Sequence, residues 1–134
     1  MSEGGVTYQV FLPADNDALN TLFAAAWPSH EPRDFAPVLA QSLSYVCAYA
    51  SGRLIGFVNL AWDGGVHAFL LDTTVHPEWQ GRGVGRELVR RAARAAAERG
   101  AVWLHVDFEP HLRGFYAGCG FGPTEAGLMR LERP

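Results

Sequence analysis

Cysteine is scarce: two in 134 residues are too few and too isolated for a disulfide framework or a zinc site, and no resident metal is expected. Cys47 and Cys119 read as reduced thiols, the usual state in a cytoplasmic setting. No apolar run approaches the ~18 residues that a membrane span needs. The polar start Met1-Ser2-Glu3-Gly4-Gly5 lacks the apolar stretch of a secretory signal. Excess basic charge is also missing. With 11 Lys+Arg against 14 Asp+Glu, the formal net charge is -3 at pH 7, which argues against a nucleic-acid footprint. No repeat or linker divides the chain, so one soluble domain over 1–134 is expected, with 49% hydrophobic residues to fill one core.

What is present alternates between strand and helix signals. Val6 to Leu12 reads as a first strand, closed by Pro13. Asp15 or Asn16 is placed to cap a helix through Trp27, with Leu19, Leu22, Phe23 and Ala26 at helical spacing. Trp27 to Pro32 contains two prolines and is a loop, and a second short helix is predicted over Arg33–Ser42. Strands are predicted at Ser44–Ala50, Arg53–Trp62 and Val66–Val75, the first two joined by the tight turn Ser51-Gly52. A helix over Arg86–Arg99 carries the stripe Leu88, Val89, Ala92, Ala95 and Ala96 and is stopped by Gly100. Its arginines 86, 90, 91, 94 and 99 are mainly a solvated face, with those near its start placed to meet a phosphate. A buried strand at Ala101–Phe108, a helix at His111–Gly118 and closing strands near Phe121–Pro123 and Leu128–Leu131 complete the order β-α-α-β-β-β-α-β-α-β-β. That is an α/β (α+β mixed) sheet flanked by helices.

The most specific stretch is Gln80-Gly81-Arg82-Gly83-Val84-Gly85, between a strand and a helix. Glycine at alternate positions lets backbone N–H groups approach an anion, and a helix start adds roughly half a positive charge. A nucleoside-triphosphate loop would continue Gly-Lys-Ser/Thr, whereas here Arg86-Glu87 follows. A dinucleotide G-x-G-x-x-G also fails, because Arg86 and Leu88 stand where its third glycine belongs.

Gln80-x-x-Gly83-x-Gly85, preceded by Val75-His76-Pro77-Glu78-Trp79, resembles the coenzyme A loop of the GCN5-related N-acetyltransferases (GNAT). Phe115-Tyr116-Ala117-Gly118-Cys119-Gly120-Phe121 resembles that family's aromatic-Tyr segment, and the order of elements matches from Val6 to Leu131. The resemblance implies a mostly antiparallel sheet of 6–7 strands whose strands splay at the cofactor site. It implies acetyl-coenzyme A as cosubstrate, held by Gln80, Gly81, Arg82, Gly83, Val84, Gly85 and Arg86, with main-chain contacts at Thr74 and Val75. The acceptor would be a primary amine of a small molecule or a protein, attacking the thioester directly, in a monomer or homodimer. The alternative is a sensor or regulatory module that binds acetyl-coenzyme A without transferring the acetyl group.

Acyl transfer needs a neutral amine, and one of pKa near ~10 is only about one part in a thousand neutral at pH 7. It also needs an acid for the departing thiolate, and Tyr116, aligned with the family's tyrosine, fills that role. Counting back from Val75, the positions on its face are Thr73, Leu71, Phe69 and His67. The resemblance implies a base where Leu71 and Phe69 stand, and neither accepts a proton; His67, on the same face but further from the thioester, is either the base or a strand-end histidine near the Asp63-Gly64-Gly65 turn. Asp72 faces the other way unless a bulge shifts the parity. The resemblance places Glu109 near the coenzyme and His30 and Glu31 in the region that shapes the acceptor pocket; of the aromatics Trp27, Phe35, Trp62 and Trp79, Trp62 is the candidate to line that pocket or else packs in the core. Cys119 reads as a packing residue.

Overall fold

A computed structural model describes residues 5–132, so residues 1–4 of the polar start lie outside the described part. Five strands form one sheet in the order of the sequence: β1 (Val6–Val10), β2 (Ser44–Ala50), β3 (Arg53–Trp62), β4 (His67–Val75) and β5 (Trp103–His105). The first three pairings are antiparallel and β4–β5 is parallel. Short turns join β2 to β3 and β3 to β4, whereas the chain between β1 and β2 carries two helices. The parallel step requires a crossover, and α3 (Val84–Glu98) supplies it.

Helices cover both faces. α1 (Asn16–Ala26) begins where the Asp15 carboxylate accepts from the Ala18 N–H at 2.9 Å. It buries Leu19, Leu22 and Phe23 against Phe35, Tyr45 and Phe57. The short α2 (Ala36–Gln41) follows the loop that the two prolines impose. On the other face α3 sets Val84, Leu88, Val89 and Ala92 on Val46, Ile55 and Val58, and Tyr116 of α4 (Arg113–Gly118) joins this core. Gly56 of β3 lies beneath α3. A Cβ there would meet Leu88, Ala48 and Val84 at 3.1–3.2 Å, so the helix rides as low as a bare backbone allows.

Three expectations need correction. The sheet has five strands among the described residues rather than six or seven, because neither Phe121–Pro123 nor Leu128–Leu131 pairs. Leu128 and Leu131 are 89% and 87% exposed, with no neighbouring backbone to complete a ladder. The strand expected over Ala101–Phe108 contracts to Trp103–His105, paired to β4 on one side only. Finally, α3 starts at Val84, ahead of Arg86, because Gly83 caps it.

Candidate active site

The three glycines of the loop act for two different reasons. Gly81 and Gly83 have φ of 76° and 84°, a left-handed backbone that any Cβ would strain, and open space where that Cβ would point. Gly85 is already helical. Its absent side chain makes room for the Phe115 ring, whose nearest atom would lie 3.2 Å from a Cβ. The first bond of α3 runs from the Glu87 N–H to the Gly83 carbonyl at 3.1 Å, so the amides of Val84, Gly85 and Arg86 have no acceptor within the helix. No side chain caps this end. A cleft of about 350 Å³ opens beside it, bordered by Tyr8, Trp79, Arg82, Arg86 and Arg90. Arg82 is laid over the Trp79 ring at 4.8 Å. Glu87 also borders the cleft, but Arg90 and then Arg91 hydrogen-bond its carboxylate and hold its pKa down to about 2. Open amides, arginines and glycines that let the backbone come close suit an anionic diphosphate, and the cradle fits the group the sequence implies.

The strand before the loop carries a bulge. Asn59 pairs with Leu71 and Phe57 with Thr74, so Asp72 and Thr73 together oppose Val58. Asp72 takes φ 56°, which costs a non-glycine residue roughly 1 kcal/mol or more. The parity expected from Val75 therefore breaks at the bulge. Val75 pairs with Gly56 and shares the α3 face, whereas Leu71, Phe69 and His67 share the α1 face with Thr74. Asp72 joins that second face, where its carboxylate lies 3.7 Å from the Arg33 guanidinium. Beyond Phe69, β4 has no β5 partner, which is the expected splay. His76 donates to the Ile55 carbonyl at 2.8 Å, so Thr74 spends its main chain on β3 and Val75 turns its amide groups to the open side. The Gln80 side chain takes the Val75 carbonyl at 3.1 Å, leaving the Val75 N–H for a ligand.

Tyr116 closes the open side. It is buried and surrounded by Phe108, Phe115 and Phe121 with ring centroids 4.9–5.7 Å apart. Burial raises its pKa above the ordinary phenol value, against a smaller lowering by the Thr73 hydroxyl. The phenol therefore stays protonated at neutral pH, as an acid requires. Cys119 beside it is also pushed up by burial, with Arg86 opposing, and Cys47 rises to about 11, so neither thiol is poised as a nucleophile.

On the α1 face, Trp27 donates its indole N–H to Thr74 Oγ1 at 3.1 Å, and that hydroxyl donates to the Asp72 carbonyl at 2.9 Å. His30 shares the Asn20 amide oxygen with the Arg33 backbone. His67 starts β4, about 20 Å along the strand from Thr73 at ~3.4 Å per residue. It is bonded to His105 at 2.8 Å. Trp62 lies on the opposite face, beneath Arg99. Glu109 is exposed and caps a short 3-10 turn without a side-chain bond. Sequence reasoning missed Arg33 and His105. The first lies in a loop, and its link to Asp72 appears only once the bulge is known.

The features brought together are a helix-covered sheet with a splayed strand, a run of open amides at a helix start and a buried phenol. The Acetyltransferase (GNAT) family model matches residues 16–121. The chain is 30% identical over 112 residues to "Serotonin N-acetyltransferase 2, chloroplastic" of Oryza sativa subsp. japonica, covering 80% of this chain and 56% of that protein. It is 33% identical over 126 residues to "Mycothiol acetyltransferase" of Nocardia farcinica, covering 87% of this chain and 40% of that one. The chain thus spans about half the length of the curated relatives it matches. Among solved structures, a putative acetyltransferase from Agrobacterium tumefaciens superposes with a TM-score of 0.83 at 22% identity, covering 94% and 99% of the two chains. An aminoglycoside N-acetyltransferase in complex with CoA superposes with a TM-score of 0.77 at 20% identity, covering 96% and 95%. The chain belongs to the GNAT acetyltransferase family. No helix among the described residues is long and apolar enough to cross a membrane.

Proposed function

We propose that this chain is a single-domain cytoplasmic N-acetyltransferase that uses acetyl-coenzyme A to acetylate a primary amine of a small molecule or a protein by direct attack on the thioester, as a monomer or homodimer. The supporting observation is the placement of Tyr116 against Thr73, on the unpaired length of β4 that runs into the Gly81–Arg86 cradle. Acetyl-coenzyme A supplies an activated acetyl group when bound. The amides of Gly81 to Arg86, with Arg82, hold its diphosphate, while Gln80 fixes the turn and the Val75 N–H orients the amide-bearing arm. Tyr116 Oη keeps the proton that the departing sulfur needs. His67 stands too far along β4 to touch the reacting amine, so its part in proton removal would run through water. Phe69 and Leu71 shield the α1 face and accept no proton.

Two apolar side chains at the common base positions favour a second reading, a regulatory module that binds acetyl-coenzyme A. Free thiol release with a panel of primary amines separates the two. Amine-dependent release supports the transferase. Silence across the panel, with coenzyme binding intact in calorimetry, supports the module.

A further inference from the structure

Arg33 is held unusually firmly for a half-exposed side chain. The Asn20 amide bonds both sides of its backbone, accepting from the Arg33 N–H at 2.9 Å and donating to its carbonyl at 2.7 Å. Its guanidinium lies over the Phe35 ring at 4.4 Å and near the Phe23 ring at 5.4 Å. Its ion pair to Asp72, at 3.7 Å, is longer than a hydrogen bond and leaves the two side chains 46% and 42% exposed. Asp72 in turn is fixed by the bulge at φ 56°. A cation and an anion are thus held side by side at the reactive end of β4, each with unspent hydrogen-bonding capacity.

This arrangement discriminates among amines. A second cation on the acceptor would meet Arg33 as a like charge. A neutral substituent would leave Arg33 with nothing in exchange for its loosened pairing with Asp72. An anionic substituent satisfies both groups at once, the ammonium at Asp72 and the acid at Arg33, where the planar fork suits a carboxylate or a phosphate. Resting on the transferase reading, we propose that the acceptor is a small amine bearing an anionic group within a few bonds of its nitrogen, with Arg33 as the specificity-determining residue and Asp72 as the ammonium anchor.

The test is calorimetric titration of the coenzyme A-saturated protein with O-phosphoethanolamine, β-alanine, ethanolamine and putrescine. The phosphate or carboxylate amine is expected to bind at least tenfold tighter than ethanolamine, with putrescine weakest, and the stronger of the two identifies the acid. Arg33→Met is expected to bring all four within twofold of one another, and Arg33→Lys to restore part of the preference. Asp72→Asn is expected to weaken every amine alike. Equal affinities for the native protein, no binding of either anionic amine, or a uniform loss in Arg33→Met with the folded fraction unchanged would overturn the proposal. Failure of the transferase reading would appear separately, as binding preferences that persist while no amine releases thiol.

Discussion

The Trp27 indole N–H and the Thr74 hydroxyl are joined at 3.1 Å, tying the end of α1 to the length of β4 that has no β5 partner. Thr74 is buried, so its hydroxyl depends on this donor and on the Asp72 carbonyl for satisfaction. Trp27→Phe removes the donor and keeps a ring. Stability should fall by about 1 kcal/mol, read as a lower midpoint in denaturant melts. Acceptor KM should rise more than coenzyme KM, because the loop Trp27 anchors stands on the α1 face.

Gly83, like Gly81, sits in the left-handed region where a side chain is strained. Gly83→Ala forces a Cβ into φ 84°, costing roughly 1–2 kcal/mol. Gly83→Asp adds a carboxylate beside the open amides and should abolish coenzyme A binding in calorimetry while the far-UV spectrum stays native. Unchanged affinity in that variant would remove the assignment of the cradle.

Tyr116→Phe leaves the ring cluster intact and removes only the hydroxyl. Turnover should drop roughly 10²-fold or more, with coenzyme affinity within a factor of about two. Since burial raises the phenol pKa, a basic limb due to this group should lie above the ordinary tyrosine range. A limb falling near neutrality would assign the acid elsewhere.

Glu87 makes acid stability a local question. Its folded pKa is depressed from 4.5 to about 2, chiefly by Arg90. Its contribution is therefore complete above the unfolded value and lost as pH falls through about 2. Glu87→Gln should flatten the stability profile across that window in urea titrations at successive pH values. An unchanged slope would show that the two arginine contacts are not populated in solution.

His67→Gln tests the imidazole. At about 20 Å from Thr73, its loss should change turnover less than about threefold, and the pH profile should keep its acidic limb. A collapse of that limb would restore a direct role.

The parts of the fold that repeat were legible. The stripe Leu88, Val89, Ala92, Ala95 and Ala96 faces the core as its spacing implied, and Asp15 caps α1. Local chemistry alone decides such features. The Asp72 bulge was not legible, because an extra residue in one strand leaves no mark in the alternation until its partner register is known. Arg33 and Asp72 were invisible as a pair for the same reason. The closing strands carried the right composition, but a strand exists only against another backbone, and residues 121–132 have none among those described. Of the candidate site, the glycine turn ahead of α3 could be read directly, while the faces that Thr74 and Val75 present required the sheet.

Gly56 meets the cradle only through the Val84 side chain above it, yet it levels it. The missing methyl on the middle strand sets the height of Leu88 and Val84 over the sheet, and with them the altitude at which the Val84 to Arg86 amides stand. Any side chain there would jack up the far end of the lever. The height of those open amides is thus governed by a vacant carbon position on the floor beneath them.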